Sequence, residues 1–486
     1  MFHQKIKQCF SHSVHLVSSV ISEFTYSDTD LTRNRKFPAD KLITFLVSQG
    51  SSSTKNELLD FFDMDPQSPT ASALNQQRAK LSPDALEAVF RHFNHFASFY
   101  DQKKLRYRFL AADGSTFTFF SKPAFAPEEY HVSEGHSIKG FYSMHLNAFY
   151  DLQKHTYSDA LIQPIHQKDE FSAFCEMVDR HDLLTGTKDV FIGDRGYCSY
   201  NNMAHVKEKG QYFLFRTKDI HSKGLVGNFE FPDADSFDIQ VNVTLVRSHK
   251  KKISIKEGYY KRFVDAAASF DYVAYGSLDT YDLSFRIVRF PISDDSYECI
   301  VTNLPSDEFP SEQIKLLYYA RWAIEGSFRK LKYTVGLSNF HAYKPEYIKQ
   351  EIWAKLIAYN ITETLINHAI IEKGNTKYEY KVNFSMAAHI CRVFLRPNTE
   401  KDSIDVMSLS YNRLMNHVRY MAARAIRGEK LKLDMNDYMS IKFPDEFRMA
   451  STVCGRLEKY LKKPLDPVEI GYLAMHIQRV SAEQET

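Results

Sequence analysis

The sequence predicts an α/β core flanked by two all-helical segments and interrupted by a β-rich block. Three observations carry that reading. From 104 to 209, strand-like runs alternate with helical ones, the pattern of a sheet covered by helices. From 210 to 305, six strand-like runs follow one another with turn residues between them. Residues 1–103, 306–395 and 408–486 read as mostly helical, with a polar linker, RPNTEKDSID, between the last two. At 486 residues the chain is roughly three domains long. Its 44% hydrophobic and 25% charged residues exclude a disordered or fibrous chain.

The elements follow in order. The opening segment, MFHQKIKQCFSHSVHLVSSV, has a basic start and an apolar patch interrupted by His and Ser, so it reads as an ordinary helix rather than a secretory leader. SPDALEAVFRHFNHFASFY reads as a second helix, with Ser82 to cap it and Leu86, Val89, Phe90 and Phe93 at helical spacing. This N-terminal segment is either a DNA-binding domain or a plain packing domain. LRYRFLAADGSTFTFF is β-rich, with Gly114 expected at a turn, and DVFIGDRGYCS reads as a short buried strand, Val190 to Ile192, ending in Gly-Asp-Arg-Gly. In the β-rich block, Arg247, Lys250, Lys251, Lys252 and Lys256 form the densest basic run. Those cations either contact a nucleic-acid backbone or protect a solvated edge strand.

Charge and cysteine content narrow the function. The chain carries 62 basic and 60 acidic residues, so it lacks the overall basic excess common in nucleic-acid binders. Division does not restore it: 14 against 11 in residues 1–108, 34 against 36 in 109–396, and 14 against 13 in 397–486. The six cysteines form no C-x-x-C pair and read as reduced thiols. No run of 18 apolar residues exists to span a membrane. The expectation is a cytoplasmic protein.

Three acids stand out. Asp113 and Asp194 each sit where a strand is expected to end, the usual place for ligands in an α/β sheet. LLYYARWAIEGSFRKLKYTVGL reads as one helix in which Tyr318, Arg321, Glu325 and Lys332 are spaced +3, +4 and +7 and so share a face. Leu317, Ile324, Phe328, Leu331 and Val335 form the apolar stripe beside them. Trp322 is expected in the core or an interface rather than stacked on a base.

The pattern Tyr-x2-Arg-x3-Glu-x6-Lys resembles the signature of bacterial insertion-sequence transposases of the DDE type. DGST around Asp113 and GDRGY around Asp194 look like that family's first two acidic motifs, and YECIVTNLP resembles the approach to its third. The resemblance spans roughly residues 30–395. It implies a ribonuclease H-like catalytic core interrupted by the β-rich insertion, with Asp113, Asp194 and Glu325 as the catalytic, metal-binding acids. It implies two Mg2+ ions, for which Mn2+ can substitute, double-stranded DNA as transposon ends and target, and a homodimeric synapse. Arg321 and Lys332 would neutralise DNA phosphates. Tyr318 would donate to a phosphate or stack on a sugar or base. Arg195 would touch DNA or pair with an acid.

The tail carries a second resemblance. YNRLMNHVRYMAARAIRGEK and LDPVEIGYLAMHIQRV, the latter opening with Asp466, Pro467 and Glu469 at helix-start positions, are similar to the phosphotransferase-system regulation domain (PRD) of antiterminators. His417 and His476 match the positions phosphorylated in that family and are the candidate phosphorylation sites, with phosphotransferase-system proteins as partners. Each lies at the edge of an apolar helix face, where a plain core histidine also fits. An alternative for the whole chain is a phosphorylation-controlled regulator carrying an inactive transposase body.

Overall fold

The computed structural model describes residues 2–484 apart from 33–36, 66, 101–104, 134–139, 185, 223, 228, 251–253, 294–295, 370–381, 397–408 and 432. The chain divides into two compact units, residues 1–396 and 397–486.

Five helices open the first unit: α1 (Phe2–Ser19), α2 (Ala39–Ser48), α3 (Thr54–Phe61), α4 (Ala71–Arg78) and α5 (Asp84–Ser98). α1 buries Ile6, Phe10, Val14 and Val17, one face at helical spacing. The sheet then begins with β1 (Tyr107–Phe119), β2 (His131–Val132), β3 (Phe141–Asp151) and β4 (Thr156–Pro164). It continues through α6 (Glu170–Arg180), β5 (Lys188–Gly193), α7 (Tyr200–Glu208) and β6 (Tyr212–Thr217). The remaining strands are β7 (Phe237–Val246), β8 (Tyr260–Phe263), β9 (Thr280–Ser293) and β10 (Ser296–Thr302).

All ten strands belong to one mixed sheet, ordered β2-β3-β1-β5-β6-β10-β9-β7-β8, with β4 also paired to β3. β1, β5 and β6 run parallel, and β3 and β10 flank them antiparallel. The β-rich block therefore extends the central sheet instead of making a sheet of its own. Among its strand-like runs, DYVAYGSL forms turns, because Arg247 donates to the carbonyls of Phe270 and Val273 and so fixes an irregular backbone there.

Alternation along the strands places helices on both faces. Leu110, Ala112, Phe191, Phe213 and Phe215 point to the side covered by α6 and α7. Val190, Ile192 and Leu214 point to the opposite side, where α8 (Ser311–Ala320) packs. α9 (Ala323–Arg329) and α10 (Pro345–Asn367) share a core with the N-terminal helices and one face of β1, β3 and β4. α11 (Phe384–Leu395) closes the unit.

α10 is buried on all sides, so its polar residues need partners. Glu351 pairs with Arg78 at 2.9 Å, both side chains 2% exposed. Lys355 donates to the carbonyls of Gln49 and Gly50. The N-terminal helices are thus bonded to α10.

The second unit consists of α12 (Leu409–Arg427), α13 (Asn436–Lys442), α14 (Pro444–Leu461) and α15 (Glu469–Gln484) around Met421, Met439, Cys454, Leu473 and Ala474. Among the described residues no helix is long and apolar enough to cross a membrane.

Candidate active site

The site is built where the parallel strands part. β1 and β5 pair in register up to Ala112↔Gly193. The residues that follow are Asp113, still within β1, and Asp194, just past the end of β5. Asp194 leaves the sheet and caps the short turn Arg195–Tyr197, its Oδ1 accepting from Gly196 N at 2.8 Å.

Asp113 does not end its strand. β1 continues through Asp113↔Ala148 and Gly114↔Asn147 to Phe119↔Tyr142 on β3. The expected turn at Gly114 is absent because antiparallel pairing holds the strand straight past the point where parallel pairing stops. Glycine is needed there for another reason: a Cβ on Gly114 would overlap the imidazole of His145.

The expected single helix carrying the third acid is broken. α8 ends at Ala320, α9 starts at Ala323, and Lys330–Thr334 is a π-helical turn. Tightened bonds cause the break: Arg321 N donates to the Tyr318 carbonyl and Trp322 N to that of Tyr319, each spanning three residues. The bend turns Arg321 inward, 5% exposed, instead of leaving it on a solvent face. Its guanidinium lies between two acids, 3.3 Å from Glu325 Oε1 and 3.7 Å from Asp113 Oδ2.

Electrostatics mark the cluster. Burial pushes the Asp113 carboxyl up to about 6, and the charges of Asp194 and Glu325 push the same way. The Gly114 N–H and Arg321 oppose the shift. An ionised Asp113 therefore lacks counter-charge that a cation can supply. Three carboxylates without Cys suit a hard divalent ion. Among the described residues no three His, Cys, Asp or Glu side chains already converge into a cage. Arg321 stands between two of the three acids.

The other expected site residues divide. Tyr318 is 1% exposed and packs with Val190, Ile192 and Leu214, so it reaches Arg321 but not solvent. The break between α8 and α9 keeps it under the sheet. Lys332 is half-buried with its ammonium 4.9 Å from the Phe117 ring, and burial lowers its pKa. Arg195 and Lys250 are exposed. Lys251 and Lys252 lie outside the described residues. Two other cations of the basic run are committed within the fold. Arg247 is buried against four backbone carbonyls, and Lys256 pairs with Asp282. Trp322 is 57% exposed, so of the core or interface place expected for it the core is excluded.

The structure adds residues without a sequence signal of their own. His145 on β3 is buried, with Nδ1 3.1 Å from Thr116 Oγ1 and Nε2 3.1 Å from Glu170 Oε1. Glu170 opens α6, and Lys168 Nζ lies 2.8 Å from the same oxygen. These contacts, His145 foremost, hold the Glu170 carboxyl down at about 2. Only cross-strand pairing of β1 with β3 brings His145 here, and no local spacing announces it.

In the tail the two histidines meet. The rings of His417 on α12 and His476 on α15 are 4.8 Å apart. Glu469 is not a capping residue as its position suggested. It is buried and bonded in bidentate fashion to Arg424, at 2.7 and 2.9 Å, with His417 Nε2 3.4 Å away. Burial lowers the pKa of both histidines, His476 to about 4.

The family model for the Transposase DDE domain matches residues 104–361, just over half of the chain. The PRD domain model matches residues 398–480. A putative transposase of insertion sequence element IS186A from Escherichia coli (strain K12) is 35% identical over 71 residues, 15% of this chain and 19% of that protein. The transposase of IS231F from Bacillus thuringiensis subsp. israelensis is 24% identical over 194 residues, 35% of this chain and 40% of its own. A probable transposase of IS5377 from Geobacillus stearothermophilus is 24% identical over 237 residues, 46% of this chain and 52% of its own. The chain thus spans between a fifth and about half of the length of these relatives. A piggyBac transposase synaptic complex with hairpin DNA aligns with 80% of this chain and 79% of that one, at 8% identity and a TM-score of 0.42.

Proposed function

The chain belongs to the family of transposases with a DDE domain, and from that premise we propose that it cleaves the DNA ends of an insertion sequence and joins them to target DNA. The observation that carries the reading is the side-by-side start of Asp113 and Asp194 beyond the last parallel pair, Ala112↔Gly193, with Arg321 linking Asp113 to Glu325. The sheet order β4-β3-β1-β5-β6, antiparallel then parallel, supports a ribonuclease H-like core.

Asp113, Asp194 and Glu325 would hold two Mg2+ ions, or Mn2+ in their place. Bound there, such ions would supply the charge that activates an attacking hydroxyl and stabilises a departing oxygen. The chain's own groups do the rest. Asp194 is held by Gly196 N and Asp113 by Gly114 N, so both carboxylates are aimed before DNA arrives. Arg321, beside Asp113, Glu325 and the Tyr318 ring, would bind a phosphate of the DNA through its planar fork. Lys332 and Arg195 would be further phosphate contacts, as would the basic run Lys250, Lys251 and Lys252. Cleavage and strand transfer use the same acids, because both are in-line attacks on phosphorus. A homodimer would bring two ends together.

The test is strand cleavage of a duplex carrying an element end, with Mg2+, by wild type, Asp194→Ala and Glu325→Ala. The reading expects cleavage by wild type alone. It fails if wild type is as inert as the variants.

For the tail, the His417–His476 contact favours a phosphate-accepting switch served by phosphotransferase-system proteins. A phosphate on either ring would add charge beside buried Glu469 and force the helices to rearrange. Phosphate transfer to the full chain, lost in His417→Ala or His476→Ala, would support it. Equal labelling of both variants and wild type would end it.

A further inference from the structure

Glu170 is absent from the acidic triad, yet its carboxylate lies against Gly114 of β1 and Gly196 of the Asp194 turn. A Cβ built on Gly114 would come within 3.1 Å of Glu170 Oε1. A Cβ on Gly196 would lie 3.9 Å from Glu170 Oε2 and 3.0 Å from Asp194 Oδ1. The two glycines that follow the aspartates are thus bare on the side Glu170 occupies.

The two oxygens of Glu170 differ. Oε1 has Lys168 Nζ at 2.8 Å and His145 Nε2 at 3.1 Å, the imidazole meeting it at an angle too poor for a full hydrogen bond. Oε2 faces the Asp194 turn. A separate observation concerns Tyr197, which closes that turn. Its side chain is 2% exposed and its hydroxyl has no hydrogen-bond partner. Its neighbouring charges are Glu170, Asp113, Asp194 and Arg321. A buried phenol without a protein partner leaves a donor available to an oxygen beside it.

We propose that Glu170 is a fourth carboxylate of the cation site, acting through Oε2, while His145 and Lys168 fix it through Oε1. The inference rests on the transposase reading, because it presumes that Asp113 and Asp194 hold a divalent ion. Its chemistry is that of a hard ligand kept ionised and prevented from rotating. The Tyr197 hydroxyl then donates to an oxygen of the filled site.

The experiment is direct Mn2+ binding to the full chain without DNA, read as loss of the free-ion electron-spin resonance signal. Glu170→Gln keeps the side-chain shape and is expected to weaken Mn2+ binding at least fivefold. Asp113→Asn serves as the positive control for loss of binding. Glu176→Gln, an exposed change on the same helix, is expected to bind as wild type does. Circular dichroism checks that Glu170→Gln folds, and Glu170→Asp, which keeps the charge, is expected to recover part of the affinity. Wild-type affinity in Glu170→Gln, with binding lost in Asp113→Asn, overturns this proposal alone. Absence of Mn2+ binding by wild type overturns this proposal and the metal reading together.

Discussion

The two units concentrate charge problems of opposite sign. In the first, burial and neighbouring carboxylates raise the Asp113 pKa to about 6, so the fold resists negative charge there. In the second, burial and the His417, Arg479 and Arg413 charges lower the His476 pKa to about 4, so the fold resists positive charge. Sites that penalise one sign are relieved by a ligand of the other. The first asks for a cation, and the second keeps neutral imidazoles that can accept an electrophilic phosphoryl group. Architecture differs in parallel. The acids stand on a ten-stranded sheet locked by N-terminal helices, whereas the histidines stand on two helices of a small bundle.

The largest expected effect separates the units by function. Asp113→Asn or Glu325→Gln should lower cleavage of an end-containing duplex by about a thousandfold, since the bound metals contribute several kcal/mol to the transition state. His417→Ala should leave that rate unchanged. If the tail substitution slows cleavage as much as the acid substitutions do, the units do not act separately.

The next effect compares their buried ion pairs. Arg78→Met removes the buried cation paired with Glu351, both side chains 2% exposed, and leaves that carboxylate only His341, so it should cost about 3 kcal/mol in chemical denaturation of the first unit. Arg424→Met strands Glu469, but Arg424 is itself 21% exposed, so water can replace it more readily. A loss of about 1.5–3 kcal/mol is expected for the second unit. Equal losses would mean that the two carboxylates are equally shut from water.

How much of this was legible in the sequence depends on the range of the interaction. Asp113, Asp194 and Glu325 were readable because short motifs carry them, and the apolar stripe Ile324, Phe328, Leu331 and Val335 is buried at its expected spacing. Arg321 was readable as a functional cation but not as a residue lying between two acids, because the helix break that turns it inward depends on three-residue bonds no periodicity reports. Gly114 looked like a turn residue. Its role is to admit His145 from a strand 31 positions later, which only cross-strand register reveals. Arg247 and Lys256 looked like DNA-facing charge, yet loop carbonyls and Asp282 claim them, and those partners come from distant segments. Helical start signals also misled: Glu469 has the spacing of a capping residue and is instead the buried anchor of Arg424.

A smaller effect follows from Gly114. Gly114→Ala places a methyl group on the His145 imidazole, and β1 cannot withdraw because it is paired on both sides up to Ala112. The first unit should lose about 1–3 kcal/mol, as overpacked sites do. Gly471→Ala is the matched change in the tail. There a Cβ would press on the Asn436 side chain and backbone, at 2.8 and 3.0 Å. The first substitution should also weaken Mn2+ binding, and the second should not. Parallel effects on Mn2+ would break the assignment of the cation site to the first unit.

The smallest expected effect is a pH dependence of α12 and α15 in the second unit. Unfolded histidines take up protons near about pH 6.5. In the folded tail, His476 does so only near 4, and His417 is also lowered. Between those values the unfolded chain binds more protons than the folded one, so the tail loses stability as pH falls from about 6.5. The neutral histidines contribute fully above that pH. In the first unit, Glu351 is shifted the other way for a carboxylate, down to about 2, so its contribution is lost only as pH falls below about 4. Hydrogen exchange of the full chain at pH 7 and pH 5, corrected for intrinsic rates, should show α12 and α15 less protected at pH 5. The Glu351 tie gives α10 no such loss over that range. His476→Gln cannot take up the proton and should flatten the response of α15. If α15 keeps its pH 7 protection at pH 5 in wild type, the histidine pair is not held neutral by burial, and the opposite signs drawn for the two units do not hold.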